Sequence, residues 1–449
     1  MGAVPRTPGR MNNAFDPAHA GDLSADAKGL VEQRSELLGP AYRLFYERPV
    51  HLVRGAGCRL WDAEGNEYLD AYNNVVSVGH ANPRVVEAVH RQMATLCTHT
   101  RYLHEGITDY ASDLLETFGD EHEGRHLMMT CTGSEANDLA LRIARHRTGN
   151  VGVIVTEEAY HGTSDQTAAF SPSLGENSPL GPWVRRVPAP DSYRTAAAEL
   201  PDLFASWVQA QIDDLERNGM GLAALVVDSA FTSDGIYVDP EHLLGPAVDL
   251  VHDAGGLLIA DEVQCGFARM GTHFWGFQRH GVDPDIATMG KPMGNGFPVA
   301  GIAVKHDAVA DFGREVRYFN TFGGNTVAVA AAQATLDVIR ENDLLSRTRS
   351  IGADLQAGLA ELASRHECVG DVRGSGLYLG VEIVADRGSQ APDGSKAASI
   401  VNGLRERRVL ISATGRAGNV LKIRPPLVLE PGDADRLVTE LDAVLSEVR

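Results

Sequence analysis

Short apolar runs alternate with amphipathic stretches from about residue 84 onward. Apolar positions at helical spacing predict a helix in PRVVEAVHRQMATL, and the short apolar runs VGVIVTEEA, LAALVVDSA and GGLLIADEV predict strands. Strands that alternate with helices in this way build βα units and a mainly parallel sheet. We therefore expect an α/β fold that binds its ligand at the carboxyl ends of the strands.

Different patterns flank this region. GCRLWDAEGNEYLDAYNN alternates apolar and polar residues around a turn at residues 63–66, which predicts a hairpin. Nearer the C-terminus, the pattern predicts one helix in IRENDLLSRTRSIGADLQAGLAELASRH, strands in DVRGSGLYLGVEIV and NVLKIRPPLVL, and a last helix in DADRLVTELDAVLSEV. We expect a large domain over residues 85–335 and a smaller α+β domain over residues 336–449, which the segment 39–84 joins. Residues 1–38 lack sustained periodicity and are expected to form a tail that is mobile or packs on a partner.

The composition narrows the class of protein. The 449 residues are 43% hydrophobic and 22% charged, which is typical of a globular protein with a sizeable core. A formal charge of -20 without any basic run disfavours nucleic-acid binding. The sequence shows neither a secretory signal nor a stretch of about eighteen apolar residues, so we expect a cytoplasmic protein without a membrane partner. Five cysteines without a CxxC pair and histidines without ligand spacing predict no disulfide framework and no metal.

Two segments are typical of phosphate-binding turns. In TGSEAN, Gly133 and Ser134 precede good helix formers, so their amides fall at a helix N-terminus, where an anion such as phosphate is favoured. Plain capping by Thr132 or Ser134 is the alternative. In TFGGN, Thr321 precedes two glycines and a helix of small residues, which is a second arrangement of hydroxyl and free amides. One phosphate-bearing ligand does not need both segments, so we expect Thr321 to serve the active site of a neighbouring subunit.

Aromatic and acidic residues follow two of the predicted strands. Tyr160 and His161 follow VGVIVTEEA, which places the tyrosine ring to stack on a flat heterocycle; a core tyrosine is the alternative. Asp261 ends the apolar run LLIA, where a buried carboxylate needs a positively charged or hydrogen-bonding partner. A protonated pyridine nitrogen is one such partner, and loop amides are the alternative. Val263 would then pack on the ring and Gln264 would reach its phenolic oxygen.

Lys291 lies in DIATMGKPMGNGFP, directly after a predicted strand. A lysine is rarely buried without a functional reason, and a Schiff base with an aldehyde removes its charge. Once released, the same amine can act as the base that moves a substrate's α proton. A solvated loop lysine is the alternative interpretation.

The order of these segments resembles the class III (subgroup II) aminotransferases of pyridoxal-phosphate (PLP) fold type I, over roughly residues 40 to 449. The resemblance rests on GSEAN, YHG, DEVQ.GF.R.G, the Lys291 loop, TFGGN, and the late RG.GL and PP segments. It implies PLP as the cofactor, Lys291 and Asp261 as catalytic residues, and a homodimer with shared active sites whose dimers can pair into tetramers. The cofactor site that it implies consists of Gly133, Ser134, Tyr160, His161, Asp261, Val263, Gln264, Lys291 and Thr321.

Four segments are most similar to one branch of that family, which contains alanine-glyoxylate aminotransferase-like proteins and phospholyases that act on phosphoethanolamine or phosphohydroxylysine. These segments are YNNVVSVGH, THTRYLHE, TMGKPMGNGFPVA and VLKIRPPL. The sequence departs from the wider family where Asp228-Ser229 and Ser233 replace a Glu-Pro pair and a second glutamate, and where Lys422 replaces an arginine. The substrate-binding residues that we expect are Tyr72, Asn74, Lys422 and Arg424, in a pocket that Tyr46 and Asn73 also shape.

The resemblance implies an aminotransferase that moves an amino group from an amino acid or ω-amine to a 2-oxo acid through the Lys291 Schiff base. Elimination of phosphate from a phosphorylated amine is the main alternative, because the same carbanion can expel a leaving group instead of taking up a proton. A racemase or epimerase would use the same residues. The complete set of lysine, aspartate, glutamine and threonine disfavours a catalytically inactive scaffold.

Overall fold

The structure is a computed structural model that describes residue 11, residues 13–122 and residues 124–448. Helices and strands alternate through the middle of the chain, as the apolar pattern predicts. The strands, in chain order, are β1 (Leu52–Ala56), β2 (Arg59–Asp62), β3 (Glu67–Asp70), β4 (Arg125–Thr130), β5 (Gly152–Thr156), β6 (Val184–Val187), β7 (Leu222–Asp228), β8 (Leu257–Asp261), β9 (Ile286–Met289), β10 (Ala300–Lys305), β11 (Val369–Ser375), β12 (Tyr378–Ile383), β13 (Val409–Leu410), β14 (Ser412–Thr414) and β15 (Val420–Ile423).

No helix in the described ranges is long and apolar enough to cross a membrane. The helices are α1 (Ala25–Leu38), α2 (Pro83–Thr95), α3 (Glu105–Glu116), α4 (Gly133–Thr148), α5 (Asp165–Ala168), α6 (Leu200–Arg217), α7 (Gly245–Asp253), α8 (Gly276–Arg279), α9 (His306–Glu315), α10 (Thr326–Glu341), α11 (Leu344–Arg365), α12 (Gly394–Glu406) and α13 (Pro431–Glu447). Short 3₁₀ turns lie at Pro17–Asp22, Gly119–His122, Pro172–Leu174 and Ala197–Glu199.

The largest sheet of the described residues has seven strands in the order β4-β10-β9-β8-β7-β5-β6. Strands β5 to β9 pair in parallel, whereas β10 runs antiparallel to both of its neighbours. Strands β5 and β9 are buried along their whole length because α4 packs on one face of the sheet and α6 and α7 pack on the other. The expected α/β fold with a mainly parallel sheet is therefore confirmed.

The register of three neighbouring strands positions the site. Asp228 at the end of β7 pairs with Asp261 at the end of β8, and Asp261 pairs in turn with Thr288 of β9. Lys291 follows the last residue of β9 by two positions. Because these strands are parallel, their carboxyl ends meet at one edge of the sheet, and the two acidic residues and the lysine meet there too.

Two four-stranded sheets lie outside the large sheet, in the orders β1-β2-β3-β13 and β11-β12-β15-β14. The hairpin predicted from the alternating pattern is confirmed as the antiparallel pair β2 and β3. Strand β3 also pairs in parallel with β13, and one apolar cluster contains Tyr68 and Leu69 together with Leu379 and Leu421. The N-terminal hairpin thus shares a core with the C-terminal sheet, and on this division we propose the boundaries 39–84, 85–335 and 336–449.

Two elements differ from the prediction. The helix predicted from residues 339 to 366 is interrupted: α10 ends at Glu341 and α11 begins at Leu344, because Asp343 adopts a left-handed conformation with φ 44°. Aspartate and asparagine tolerate this conformation better than most residues do. In addition, residues 25–38 form the helix α1, capped by Ser24, although none of its side chains is buried. Residues 1–10 and 12 of the expected tail lie outside the described residues.

Glu262 joins the strand ends to the rest of the large domain. Its side chain is fully buried, and its carboxylate accepts hydrogen bonds from Ser229 Oγ (2.6 Å), Gly276 N (2.7 Å) and Phe277 N (2.9 Å). Burial raises the pKa of Glu262 to about 7, although these three donors act in the opposite direction. The ends of β7 and β8 and the start of α8 are held together through this one side chain.

We expect Glu262→Gln to lower the free energy of unfolding by about 1–3 kcal/mol, because an amide offers one acceptor oxygen and leaves a buried backbone N–H without a partner. Urea unfolding of the PLP-loaded protein measures this loss. The matched control is Glu361→Gln, an exposed glutamate of α11 3.9 Å from Arg365, which should change the free energy by less than about 0.5 kcal/mol. Equal unfolding midpoints for the two variants would contradict the role given to Glu262.

Candidate active site

A cavity of about 280 Å³ opens at the carboxyl ends of β7, β8 and β9. Its lining brings together eight of the residues that the sequence singled out: Gly133, Ser134, Tyr160, His161, Asp261, Val263, Gln264 and Lys291. It also includes Cys131, Asn137 and Gly162, to which the sequence analysis gave no role, and Asp228, which that analysis named only as a departure from the family pattern. Residues far apart in the chain therefore form one concave site.

The start of α4 forms one wall of the cavity. Thr132 caps the helix, since its Oγ1 accepts a hydrogen bond from Glu135 N (3.2 Å), while Glu135 Oε2 accepts one from Thr132 N (3.1 Å). Capping does not use the N–H groups of Gly133 and Ser134, which have no acceptor inside the helix. The cap and the anion site are thus compatible, because the cap orients the first turn and leaves its amides facing the cavity.

Asp261 lies at the floor of the cavity and is bonded on several sides. Its Oδ2 accepts hydrogen bonds from His161 Nδ1–H (2.7 Å) and Asn137 Nδ2 (2.9 Å), and its Oδ1 accepts one from Val263 N (3.1 Å). Burial raises the pKa of Asp261, but the hydrogen bond and charge of His161, the hydrogen bond from Asn137 and the charge of Lys291 outweigh burial. The pKa ends below its ordinary value, so the carboxylate is ionised.

Asn137 is the main residue of this site that the sequence analysis missed. It lies on α4 one helical turn after Gly133, and its Nδ2 also donates to His161 O (2.8 Å). An asparagine among the apolar residues of a helix is a signal that could have found it, because a buried amide requires partners.

Lys291 faces the same cavity as Asp261. Burial and, next, the charge of Arg424 lower the pKa of the Lys291 amine to about 8, although Asp261 and Asp228 act in the opposite direction. A substantial fraction of the free amine is thus neutral near physiological pH, and only a neutral amine can attack an aldehyde or accept a proton.

A second cavity of about 1100 Å³ lies next to the first and shares Tyr160 with it. Two of the predicted substrate-binding residues, Tyr72 and Lys422, line this outer cavity. Arg424 lies behind them, with its guanidinium 4.6 Å from the centre of the Tyr72 ring and its Nη1 donating to Gln264 Oε1. Asn74 is buried and donates to Gln264 O (3.4 Å). Arg424 and Asn74 therefore support the wall of the cavity rather than line it.

Thr321 is not brought to the cavities of its own chain. Its side chain is exposed, whereas the following Gly323 and Gly324 are buried against Met129. The exposure leaves Thr321 available to a neighbouring subunit, and its role at a partner's cofactor stays a prediction.

The residues of the inner cavity fit PLP. An ionised carboxylate suits the protonated ring nitrogen, and a carboxylate has acceptor capacity beyond the three donors that Asp261 already binds. Gly162 keeps the loop close to α4, because a Cβ there would lie 2.5 Å from Ser134 Oγ. The exposed amides of α4 suit a phosphate, and Tyr160 and Val263 provide surfaces for a flat ring.

The fold and this site define a PLP-dependent enzyme of fold type I. The profile described as Aminotransferase class-III matches residues 45–445, and the chain belongs to that family. The family, the fold class and the cofactor inferred from the sequence are thereby confirmed.

Some similar proteins are named phospholyases and others are named aminotransferases. An ethanolamine-phosphate phospho-lyase homolog 1 of Caenorhabditis elegans is 37% identical, over 93% of this chain and 93% of its own. An alanine–glyoxylate aminotransferase 2-like protein of Drosophila melanogaster is also 37% identical, over 93% of this chain and 87% of its own. Among solved structures, a phospholyase from Arthrobacter in complex with phosphoethanolamine is 40% identical, with a TM-score of 0.90 over 94% of this chain and 100% of its own. A Bacillus anthracis aminotransferase is 28% identical, with a TM-score of 0.86 over 95% and 99%.

We expect the rate at which PLP-free protein captures PLP to rise with pH and to level off above about 8, because only the neutral Lys291 amine attacks the aldehyde. An unperturbed lysine would give a midpoint near about 10.4. The visible absorbance of the bound cofactor, followed after mixing at a series of pH values, measures the rate.

Two variants control this measurement. Lys291→Ala should capture no PLP at any pH, whereas Lys305→Ala, which removes a lysine 2.7 Å from Asp283 at the end of β10, should behave like the wild type. A midpoint near that of an ordinary lysine, or capture by Lys291→Ala, would contradict the assignment.

Proposed function

We propose that this chain is a PLP-dependent phospholyase that eliminates phosphate from a phosphorylated primary amine such as phosphoethanolamine. The observation that carries the proposal is a pair of cations, Lys422 and Arg424, beside the outer cavity. In residues 13–122 and 124–448, no carboxylate lies within ion-pair distance of either one. The amino transfer that the sequence favoured is the second candidate.

The charge of the substrate distinguishes the two candidates. A phosphate monoester carries close to two negative charges near neutral pH, whereas a carboxylate carries one. Lys422 faces the outer cavity and Arg424 lies next to it, and Ser233 occupies the position where many members of the family carry a glutamate. Glu157, Glu158 and Glu176 also line this cavity, but Glu157 and Glu158 lie close to Arg416, and no ion pair joins any of the three to Lys422 or Arg424 among the described residues. Two cations without a carboxylate partner match a dianion better than a monoanion. The 37% identity to a phospho-lyase homolog and the 40% identity to a phospholyase bound to phosphoethanolamine support the same substrate class.

Each group has a defined task in the proposed reaction. PLP supplies an electron sink that stabilises negative charge on the carbon bearing the amine. Lys291 removes a proton from that carbon, and the bond between the neighbouring carbon and the phosphate oxygen breaks, with its electron pair leaving on phosphate. Lys422 and Arg424 stabilise the departing charge. Phosphoethanolamine and water would thus yield acetaldehyde, ammonia and inorganic phosphate.

Amino transfer remains a candidate because Lys291, Asp261 and Tyr160 serve both reactions equally well. One relative at 37% identity is named alanine–glyoxylate aminotransferase 2-like. A 2-oxo acid could also place its carboxylate at Lys422. The two reactions differ in the final location of the amino group, which amino transfer leaves on the cofactor.

We also propose a homodimer that shares its active sites. Thr321 is exposed, and the large apolar side chains of Tyr102, Leu103, Phe319 and Phe322 are exposed as well. Exposed apolar residues of this size are typical of an interface. A partner subunit would cover them and would place Thr321 beside the cofactor of the other chain.

We expect phosphoethanolamine, added to PLP-loaded protein without any 2-oxo acid, to release phosphate over many turnovers while the yellow absorbance of the bound cofactor persists. A phosphate assay and the visible spectrum, recorded in parallel, measure both quantities. Loss of the yellow absorbance without phosphate release would instead establish amino transfer. L-Alanine is the matched donor, since it has no phosphate to release.

We expect Lys422→Met to weaken the binding of inorganic phosphate by roughly tenfold, the value of one charge-assisted hydrogen bond. Burial and the like charges of Arg424 and Lys291 lower the pKa of Lys422 well below its ordinary value. A bound anion favours the charged amine, so wild-type binding should take up a proton and strengthen as the pH falls. Calorimetry in buffers of different ionisation enthalpy measures the uptake.

The difference in proton uptake between Lys422→Met and the wild type separates the lysine from phosphate itself, which also titrates near neutral pH. Lys396→Met, on α12 and outside the two cavities, is the control and should match the wild type. Equal affinity and equal proton uptake in Lys422→Met and the wild type would rule out an anion site at Lys422.

A further inference from the structure

Gln264 lies between the cofactor cavity and the cations of the substrate site. It lines the inner cavity and is 9% exposed. Its Oε1 accepts a hydrogen bond from Arg424 Nη1 and lies 3.4 Å from the hydroxyl of Tyr378. One side chain thus contacts both the space for the cofactor and the guanidinium beside the substrate cavity.

The contact with Arg424 determines which end of the Gln264 amide faces the cofactor. A guanidinium has only donors, so the group that faces it must be the carbonyl oxygen. The Nε2 of Gln264 then lies on the other side as a donor. If the amide of Gln264 were rotated by half a turn, its Nε2–H groups would face the N–H groups of the Arg424 guanidinium in a buried place, which is unfavourable.

Tyr378 supports the same orientation from the second domain. Its ring lies on β12 and is fully buried, and its hydroxyl lies 2.6 Å from Thr232 Oγ1. A phenol has one proton, which Tyr378 donates to Thr232 Oγ1 at 2.6 Å, and Gln264 Oε1 lies 3.4 Å from the same hydroxyl as a second, longer acceptor. Burial raises the pKa of Tyr378 above its ordinary range, which keeps this proton on the phenol.

We propose that Arg424 and Tyr378 are positioning residues that fix the Gln264 amide as a donor toward the cofactor's ring oxygen, and that Arg424 transmits the binding of a substrate anion to this contact. The first part depends only on contacts within the chain. The second part rests on the proposed function, because it requires an anion at the Lys422 and Arg424 pair. An anion that attracts the guanidinium weakens its hold on Gln264 Oε1.

Other charged or titratable groups border the same space. Those of the inner cavity are Cys131, Tyr160, His161, Asp228, Asp261 and Lys291. Those of the outer cavity are Tyr72, Glu157, Glu158, Tyr160, Glu176, Arg186, Arg416 and Lys422. Variants that leave all of these groups in place isolate the contribution of the Gln264 network.

The test is a pH titration of the lysine–cofactor linkage, read by the visible absorbance of PLP-loaded protein. A donor on the ring oxygen lowers the proton affinity of the linkage, so Tyr378→Phe should move the midpoint up by roughly 0.5 pH units, the effect of one neutral hydrogen bond. Thr232→Val removes the acceptor that competes for the proton of Tyr378, so the phenol then donates to Gln264 Oε1 and the midpoint should move down. Tyr68→Phe is the matched control, since Tyr68 is also buried and donates one hydrogen bond to Asp62 (3.1 Å), outside both cavities.

Midpoints of Tyr378→Phe and Thr232→Val that equal the wild type, in variants with wild-type unfolding curves, would overturn the positioning role. A merely structural role would leave the midpoint unchanged, which is why the spectrum rather than turnover is decisive.

Inorganic phosphate tests the second part. Phosphate should raise the midpoint in the wild type and leave it unchanged in Arg424→Met. If calorimetry shows that phosphate binds the wild type but the midpoint does not move, then Arg424 does not transmit anion binding to Gln264. The anion site itself would still be supported. If phosphate does not bind, the anion site of the proposed function fails and the transmission fails with it, while Tyr378→Phe still decides the positioning role.

Discussion

A buried carboxylate needs hydrogen-bond donors on several sides. Three separate segments of the chain supply the donors to Asp261. His161 comes from the loop after β5, Asn137 comes from α4, and the Val263 amide comes from the turn that follows β8. These bonds keep the carboxylate ionised in a place where burial alone would protonate it. The packing of α4 and of the β5 loop against β8 is thus the same arrangement that keeps Asp261 ionised at the inner cavity.

Positive charge accumulates on the opposite side of the site. The charge of Arg424 lowers the pKa values of Lys291 and Lys422, and the charge of Lys291 also lowers that of Lys422. The buried Arg269 adds a fourth basic group. Burial and the charge of Arg424 lower the pKa of Arg269 to about 9, and its Nη1 donates to Leu377 O (3.1 Å) and Pro425 O. Like charges held this close are costly unless an anion joins them. This cost favours the binding of an anion at the site, which is the physical basis of the substrate class that we propose.

Both domains contribute residues to the site. The large domain supplies Asp261, Gln264 and Lys291 to the inner cavity, whereas β12, β15 and the segment after β15 supply Tyr378, Lys422 and Arg424. Hydrogen bonds such as Thr414 Oγ1 to Thr232 O (2.9 Å) cross between the two. The arrangement of the two cavities therefore depends on how the domains pack, and Gln264 contacts Arg424 and Tyr378 where the domains meet.

Local sequence patterns were sufficient to predict the strand ends near Asp261 and Lys291, because apolar periodicity and turn residues are properties of neighbouring positions. The sequence motifs were also sufficient to identify the family, the fold class and the cofactor. They missed Asn137 and Tyr378, whose partners lie 124 and 146 positions away in the chain. They also missed the break at Asp343, where a single left-handed residue separates two helices. A hydrogen bond across the fold leaves no trace in the periodicity of either segment, so only the tertiary structure decided which side chains meet.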